Sequence, residues 1–411
     1  MPGAILNHRR AVLAGLGGFL GQGALSACTT SARPGLAPRP AFTARRIAPI
    51  LMAPERIIRI TVCTRPFRAP GPRLDVERVG ETLVVHNYGH GGSGWSLSWG
   101  SSGIAARKAM ALSGENGSPE IAVIGCGALG LTSALQLQRL GARVVIYARE
   151  RTPFTRSMRA TGTWTPDSRI ADADKVDPDF PALWERMSRE SFATHQTYLG
   201  TQGDPVVFQD RYILARANPG PQAAQKAEDK PGPPEIRFAE YGERLHDIVP
   251  RSVAIPVEQT PFPGIASARF GSGLQFNITE LAHRLMTEFQ MGGGRIETRE
   301  FHAPTEIASL DEKVVINCTG YGARALWHDR TMTPVRGQIA WLAPQPEVDY
   351  SLFYAGVAVI PRPDGIVVQN TRGGDMVGYG SEDETPDRAE AEATISRVAP
   401  LFPSVRPPLP A

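Results

Sequence analysis

The chain has 411 residues, a formal net charge of +3, and 42% hydrophobic and 21% charged residues, the balance of an ordinary globule with room for two domains and a sizeable core. The charge is uneven: residues 1–70 hold ten arginines and one acid, Glu55, so that stretch is +9 and the remainder −6. A mildly acidic body argues against nucleic acid as a partner, and four scattered cysteines (28, 63, 126, 318) give neither a disulfide framework nor zinc spacing, so no metal is expected.

Arg9-Arg10 precedes a glycine-rich apolar run, Ala11 to Ala27, too short to span a bilayer and ending in Leu25-Ser26-Ala27-Cys28. Residues 1–28 therefore read as an export signal of twin-arginine type. Leu-Ser-Ala-Cys resembles a lipoprotein cleavage box, so periplasmic or cell-envelope localisation is expected, with membrane contact only through a lipidated Cys28. A generic secretory signal with an incidental Cys28 is the alternative. Residues 29–56, rich in proline and arginine, read as a tether.

Ordered structure is expected from the alternating strand Ile57–Val62. A strand at Leu83–Val85 follows, then the run His86-Asn87-Tyr88-Gly89-His90-Gly91-Gly92-Ser93-Gly94, and a helix at Ile104–Leu112. Gly114 to Pro119 is a breaker. Next come a buried strand (Ile121–Ile124), a glycine turn, a helix (Leu129–Leu140) and a strand (Val144–Tyr147), which together make a βαβ unit. Further on, the pattern gives a helix in 181–200, a loop over Ala217–Pro234, a helix at Leu281–Phe289 and a buried strand at Val314–Ile316. A hairpin, Val357–Ile360 with Ile366–Val368, and a frayed tail at Arg406–Ala411 complete the chain.

Gly125-Cys126-Gly127-Ala128-Leu129-Gly130 sits between a strand and a helix. The first glycine suits the tight turn, the second lets a pyrophosphate approach the backbone, and the third packs helix on strand. The acid expected about 20 residues on has one candidate, Glu150, and Arg149 is an alternative contact for phosphate or adenine. The dense glycines at 89–94 imply a backbone brought very close to something flat or charged.

Several segments resemble the D-amino-acid oxidase family. They are the 86–94 run, Tyr147 through Pro166, Val315–Gly320, Pro334–Ile339 and Thr64–Leu74. The resemblance implies an α/β fold with an FAD-binding doubly wound (Rossmann-like) domain over 73–166 and 277–330. A mixed-sheet substrate domain would take 57–72, 167–276 and 331–411. It places Thr155 and Ser157 at the pyrophosphate, Gly162 and Thr163 along the flavin, and Gly91, Gly94, Trp95 and Ser96 near the flavin ring. By the same resemblance Arg65 forks the substrate carboxylate, the Gly92 carbonyl holds its amine, and Tyr354 is an active-site tyrosine. The family's second tyrosine falls on Ala358, for which a wider pocket, another partner such as Tyr350, or a different substrate would compensate.

The implied reaction is oxidative deamination of a D-amino acid to a 2-oxo acid and ammonia, with hydride passing to flavin and dioxygen as acceptor. Oxidation of another amine or N-substituted amino acid, and a non-catalytic flavin-binding lipoprotein, are the alternatives. The family's closing glycine block stands before the fingerprint here. The reading is a circular permutation joined at Gly114–Pro119.

Overall fold

Two sheets organise residues 47–114, 119–217 and 236–403, the portions described by this computed structural model. The expected signal, Cys28, the loop from residue 218, the last eight residues and most of the 114–119 join lie outside the described residues. The strands in chain order are β1 (Ile57–Arg68), β2 (Val76–Val79), β3 (Thr82–His86), β4 (Glu120–Ile124), β5 (Arg143–Ala148), β6 (Val206–Arg216) and β7 (Val253–Ile255). They continue as β8 (Ile265–Phe276), β9 (Arg295–Thr298), β10 (Val314–Asn317), β11 (Met332–Leu342), β12 (Tyr350–Tyr354), β13 (Val357–Arg362) and β14 (Gly365–Asn370). The helices are α1 (Gly94–Leu112), α2 (Ala128–Arg139), α3 (Phe180–Gln196), α4 (Ile278–Met291), α5 (Pro304–Ala308), α6 (Ala323–Leu326) and α7 (Arg388–Val398).

The smaller sheet has the order β2-β3-β10-β4-β5-β9, parallel except for edge strand β2. A parallel strand is covered on both faces, which is why Ile121–Ile124 is a continuous apolar run. Ile121 and Val123 enter the core shared with α1, α2 and α4, while Ala122 and Ile124 pack with Phe301, Ile307 and Leu310. The larger sheet is mixed, in the order β1-β11-β14-β13-β12-β6-β8-β7. Tyr212, Leu352, Val359 and Val368 lie in the core under α7, with Ile395 and Val398. Among the described residues no helix is long and apolar enough to cross a membrane.

Two expectations are corrected. Helix α1 begins at Gly94, not near Ile104. Its first turns, Trp95 through Gly103, are buried throughout and so carry no amphipathic period. Gly100 is pressed onto α3, where a Cβ would meet the Met187 carbonyl oxygen at 2.2 Å, and its N–H donates to Ser191 Oγ. The tether also ends sooner than residue 56. Ile50 and Met52 are buried in the α7 core, Leu51 N–H donates to Gln345 Oε1 (2.8 Å), and the Tyr350 hydroxyl donates to the Ala48 carbonyl (2.8 Å).

Because Ile50 fills core volume, Ile50→Ala should lower unfolding free energy by about 2–5 kcal/mol in chemical denaturation, whereas a tether residue would change it little.

Candidate active site

The glycine run connects β3 to α1 and is tied to β1 rather than free. Gly91 N–H donates to the Pro66 carbonyl (2.9 Å), and Phe67 pairs with His90 across an antiparallel bridge. Gly91 has φ +54°, and a Cβ there would lie 1.8 Å from the Arg169 carbonyl oxygen. At Gly92 one would lie 2.5 Å from Ser168 Oγ. These two glycines therefore admit the 168–169 backbone, to which Gly92 N–H also donates (2.9 Å, to Ser168 O). Gly94 carries no such demand, since a Cβ would meet nothing within 4 Å.

The loop forms one wall of a cleft of about 420 Å³, lined by Gly91, Gly92, Gly94 and Trp95 on that side. Ser96 is not in the lining, because its hydroxyl accepts the Thr165 N–H at 2.8 Å.

The fingerprint supplies another part of the wall. Gly125 makes the turn with φ +104°, and at Gly130 a Cβ would strike the Gly125 carbonyl oxygen at 1.9 Å, so α2 can lie this close only with glycine. Gly127, Ala128 and Leu129 face the cleft, while Gly125 and Gly130 shape it from behind. Ala128 N–H donates to Ser157 Oγ (3.1 Å), which places that hydroxyl on the amide-bearing end of α2. Arg156 and Arg159 join Ser157 in the lining and share Glu384, each at 3.0 Å. Thr155 is buried but not in the lining, and Gly162 sits behind Thr163 with its Cα against the Phe276 carbonyl. Arg149 is held at the surface by Glu300 (2.8 Å) and Glu150 (3.3 Å), away from the cleft lining.

Arg65 reaches the cleft from β1 and lies across Gly337, where any Cβ would collide with its guanidinium. Its one side-chain hydrogen bond among the described residues is from Nη1 to the Arg336 carbonyl, at 3.1 Å. Burial pulls its pKa below the usual arginine value. Every other arginine of the lining has an acid: Arg156 and Arg159 have Glu384, Arg169 has Asp375 (2.9 Å) and Arg336 has Glu390 (3.7 Å). Arg65 has no ion pair among the described residues.

Tyr354 is not brought to this cleft. It points into the α7 core, and Phe353 faces the cleft beside Ala358. The register gives the reason: Phe353 pairs with Ala358 and Tyr354 with Val357, so the strand's alternation assigns the cleft to 353. The two-residue turn Ala355-Gly356 was the available signal for that pairing. Tyr350 shares the wrong face and spends its hydroxyl on Ala48. The residues that motif matching did not single out are Arg156, Arg159, Arg169 and Phe353, together with Gln369 and Asp375 of the lining.

The two loop histidines are structural and neutral. The His90 Nε2 is 2.7 Å from Ser101 Oγ, and that hydroxyl donates to Asn87 Oδ1. The imidazole proton is therefore on Nε2. The side-chain amide of Asn317 donates to His86 Nδ1 (3.1 Å), leaving His86 Nε2–H for Glu77 (3.1 Å). Burial pushes His86 down to about 4, His90 to about 3 and His195, in α3, to about 4.

The chain's residues 120–410 match the family described as "DAO: FAD dependent oxidoreductase". It is 29% identical over 290 residues to a D-amino-acid oxidase of Rubrobacter xylanophilus, covering 69% of this chain and 77% of that one. With a D-amino-acid oxidase of Streptomyces coelicolor the identity is 27% over 293 residues, covering 70% and 78%. Among solved structures, an L-proline dehydrogenase from P. horikoshii is similar at 15% identity and TM-score 0.45, covering 71% of this chain and 78% of that chain.

The three buried histidines set an acid limit. Their folded values lie below the ordinary 6.5, so the unfolded chain takes up protons that the folded chain refuses. The stability they lend is whole above about pH 6.5 and drains as pH falls through about 4, at up to about 1.4 kcal/mol per pH unit for each. Denaturation at a series of pH values should show this uptake, reduced by about one proton in His90→Gln.

Proposed function

This chain belongs to the DAO family of FAD-dependent oxidoreductases, and on that premise we propose that it oxidises the Cα–N bond of a D-amino acid whose carboxylate is read by Arg65. The observation that carries the reading is a partly buried guanidinium that is open to the cleft and has no ion pair among the described residues, Asp375 acting on it only from a distance while bonded to Arg169. Its planar fork fits a carboxylate in two parallel bonds, which fixes orientation as well as charge. The curated relatives named D-amino-acid oxidases support the choice of substrate class.

The residues present fit FAD. Gly127 and Ala128 at the start of α2, with Arg156, Ser157 and Arg159, suit the diphosphate, and the 91–95 loop with Thr163 offers a backbone-rich wall for the planar ring. When bound, FAD supplies the two-electron acceptor, which no side chain of the cleft can replace. The two carboxylates of the lining, Asp375 and Glu390, are engaged by Arg169 and Arg336, so the amine enters as the free base. The cleft's work is then orientation, and water converts the departing imino acid to a 2-oxo acid and ammonia. Dioxygen is the acceptor in this reading. Ala358 beside Phe353 leaves that wall without a hydroxyl, which favours an N-substituted amino acid as the second reading.

We also propose that residues 57–112 are the family's terminal block moved to the front. The family match begins only at residue 120, yet α1 packs on α2 and β3 lies beside β10 in the FAD sheet. Export through the first 28 residues, with lipidation of Cys28, stays part of the proposal.

Two variants test the assignment. Arg65→Met should cut kcat/KM for D-amino acids by about 10²-fold or more, carried largely by KM, from loss of a charge-assisted fork of about 3 kcal/mol. Unchanged kcat/KM contradicts the reading. Gly130→Ala should yield protein purified without its yellow colour, and added FAD should bind about tenfold more weakly or worse.

A further inference from the structure

A second chamber, of about 150 Å³, is built on β6 and β8, which supply Phe208, Arg211, Ile213 and Gly271 to Leu274 to its lining. Trp164, Phe192, Phe208 and Leu274 supply apolar walls, with Trp164 and Phe192 packed edge to face at 5.0 Å. The charged member is Arg211 of β6, and no acidic residue lines the chamber.

Arg211 is a guanidinium without an occupation. Its side chain makes no hydrogen bond or ion pair among the described residues, and its Nε is buried without a partner. It lies over the Phe353 ring at 5.7 Å and alongside Gly273, where a Cβ would already press on Nη2 at 3.2 Å. A cation over one phenyl face recovers only part of the cost of burying it.

We propose that this chamber is a binding site for a small aromatic or branched monocarboxylate lacking an ammonium group, held by Arg211. One cation and no helix terminus suit a singly charged carboxylate rather than a phosphate dianion. With no acid in the lining, nothing receives the ammonium of an amino acid, so deaminated carboxylates are preferred over zwitterions. A cavity of about 150 Å³ holds a benzene-sized ring, and the aromatic walls match one. The site stands on the chamber's own chemistry and is separate from the Arg65 assignment. Phe353 lines the cleft, and Arg211 of the chamber lies over its ring.

The test uses 4-bromophenylacetate with the FAD-loaded protein. Bromine anomalous signal in co-crystals locates it, and calorimetry measures its binding in solution. The expected result is bromine among Trp164, Phe192 and Phe208 with the carboxylate on Arg211. Binding in solution should persist in Arg65→Met and weaken about tenfold or more in Arg211→Met. Arg211→Lys, which keeps the charge, should retain part of the affinity and guards against a folding defect. Bromine only beside Arg65, occupancy in crystals without binding in solution, or equal affinity in wild type and Arg211→Met would each overturn the proposal.

Discussion

One backbone hydrogen bond, from Gly91 N–H to the Pro66 carbonyl, sets the geometry on which the active cleft depends. Strand β1 runs eleven residue pairs along β11 in the larger sheet, and its far end meets the glycine loop of the smaller sheet through this bond and the Phe67–His90 bridge. Arg65 sits one residue before the contact. Its position relative to Gly91 and Gly92 is therefore fixed by main chain, whatever side chains surround it. Such a bond contributes about 1 kcal/mol net to stability; its larger effect is to put a charge and a glycine cradle on the same cleft.

The charge pattern is consistent with that geometry. Four lining arginines are each paired with an acid, Arg156 and Arg159 sharing Glu384, Arg169 with Asp375 and Arg336 with Glu390, and they build the walls. Arg65 is left as the open valence. The loop histidines, neutral and hydrogen-bonded, add no competing cation beneath it. Arg211, over the Phe353 ring, is likewise without an ion pair among the described residues, in a smaller, more aromatic setting.

Much of this was legible in the sequence, because local rules govern it. The parallel strands at 121–124 and 314–316 are continuous apolar runs, and Gly125, Gly127 and Gly130 stand where turn, approach and packing each require them. Other features depended on tertiary context. The first turns of α1 have no amphipathic face because they are buried all round, and the packing of Ile50 is decided by α7, more than 300 residues away. Tyr354 matched a motif, but the register with Val357 turned it to the opposite face, and a one-residue difference in a strand reverses the side. Gly91 and Gly92 were expected to serve a ligand, and their closest neighbours proved to be Ser168 and Arg169.

The central claim is that a carboxylate on Arg65 places the substrate. Its most direct test is anaerobic reduction of the FAD-loaded protein by D-amino acids, their L-isomers, and the amines that lack the carboxyl group. Bleaching of the flavin is expected with D-amino acids, and none with the corresponding amines at equal concentration. Bleaching by the amines at the same rate, or by no amino acid at all, would contradict the claim.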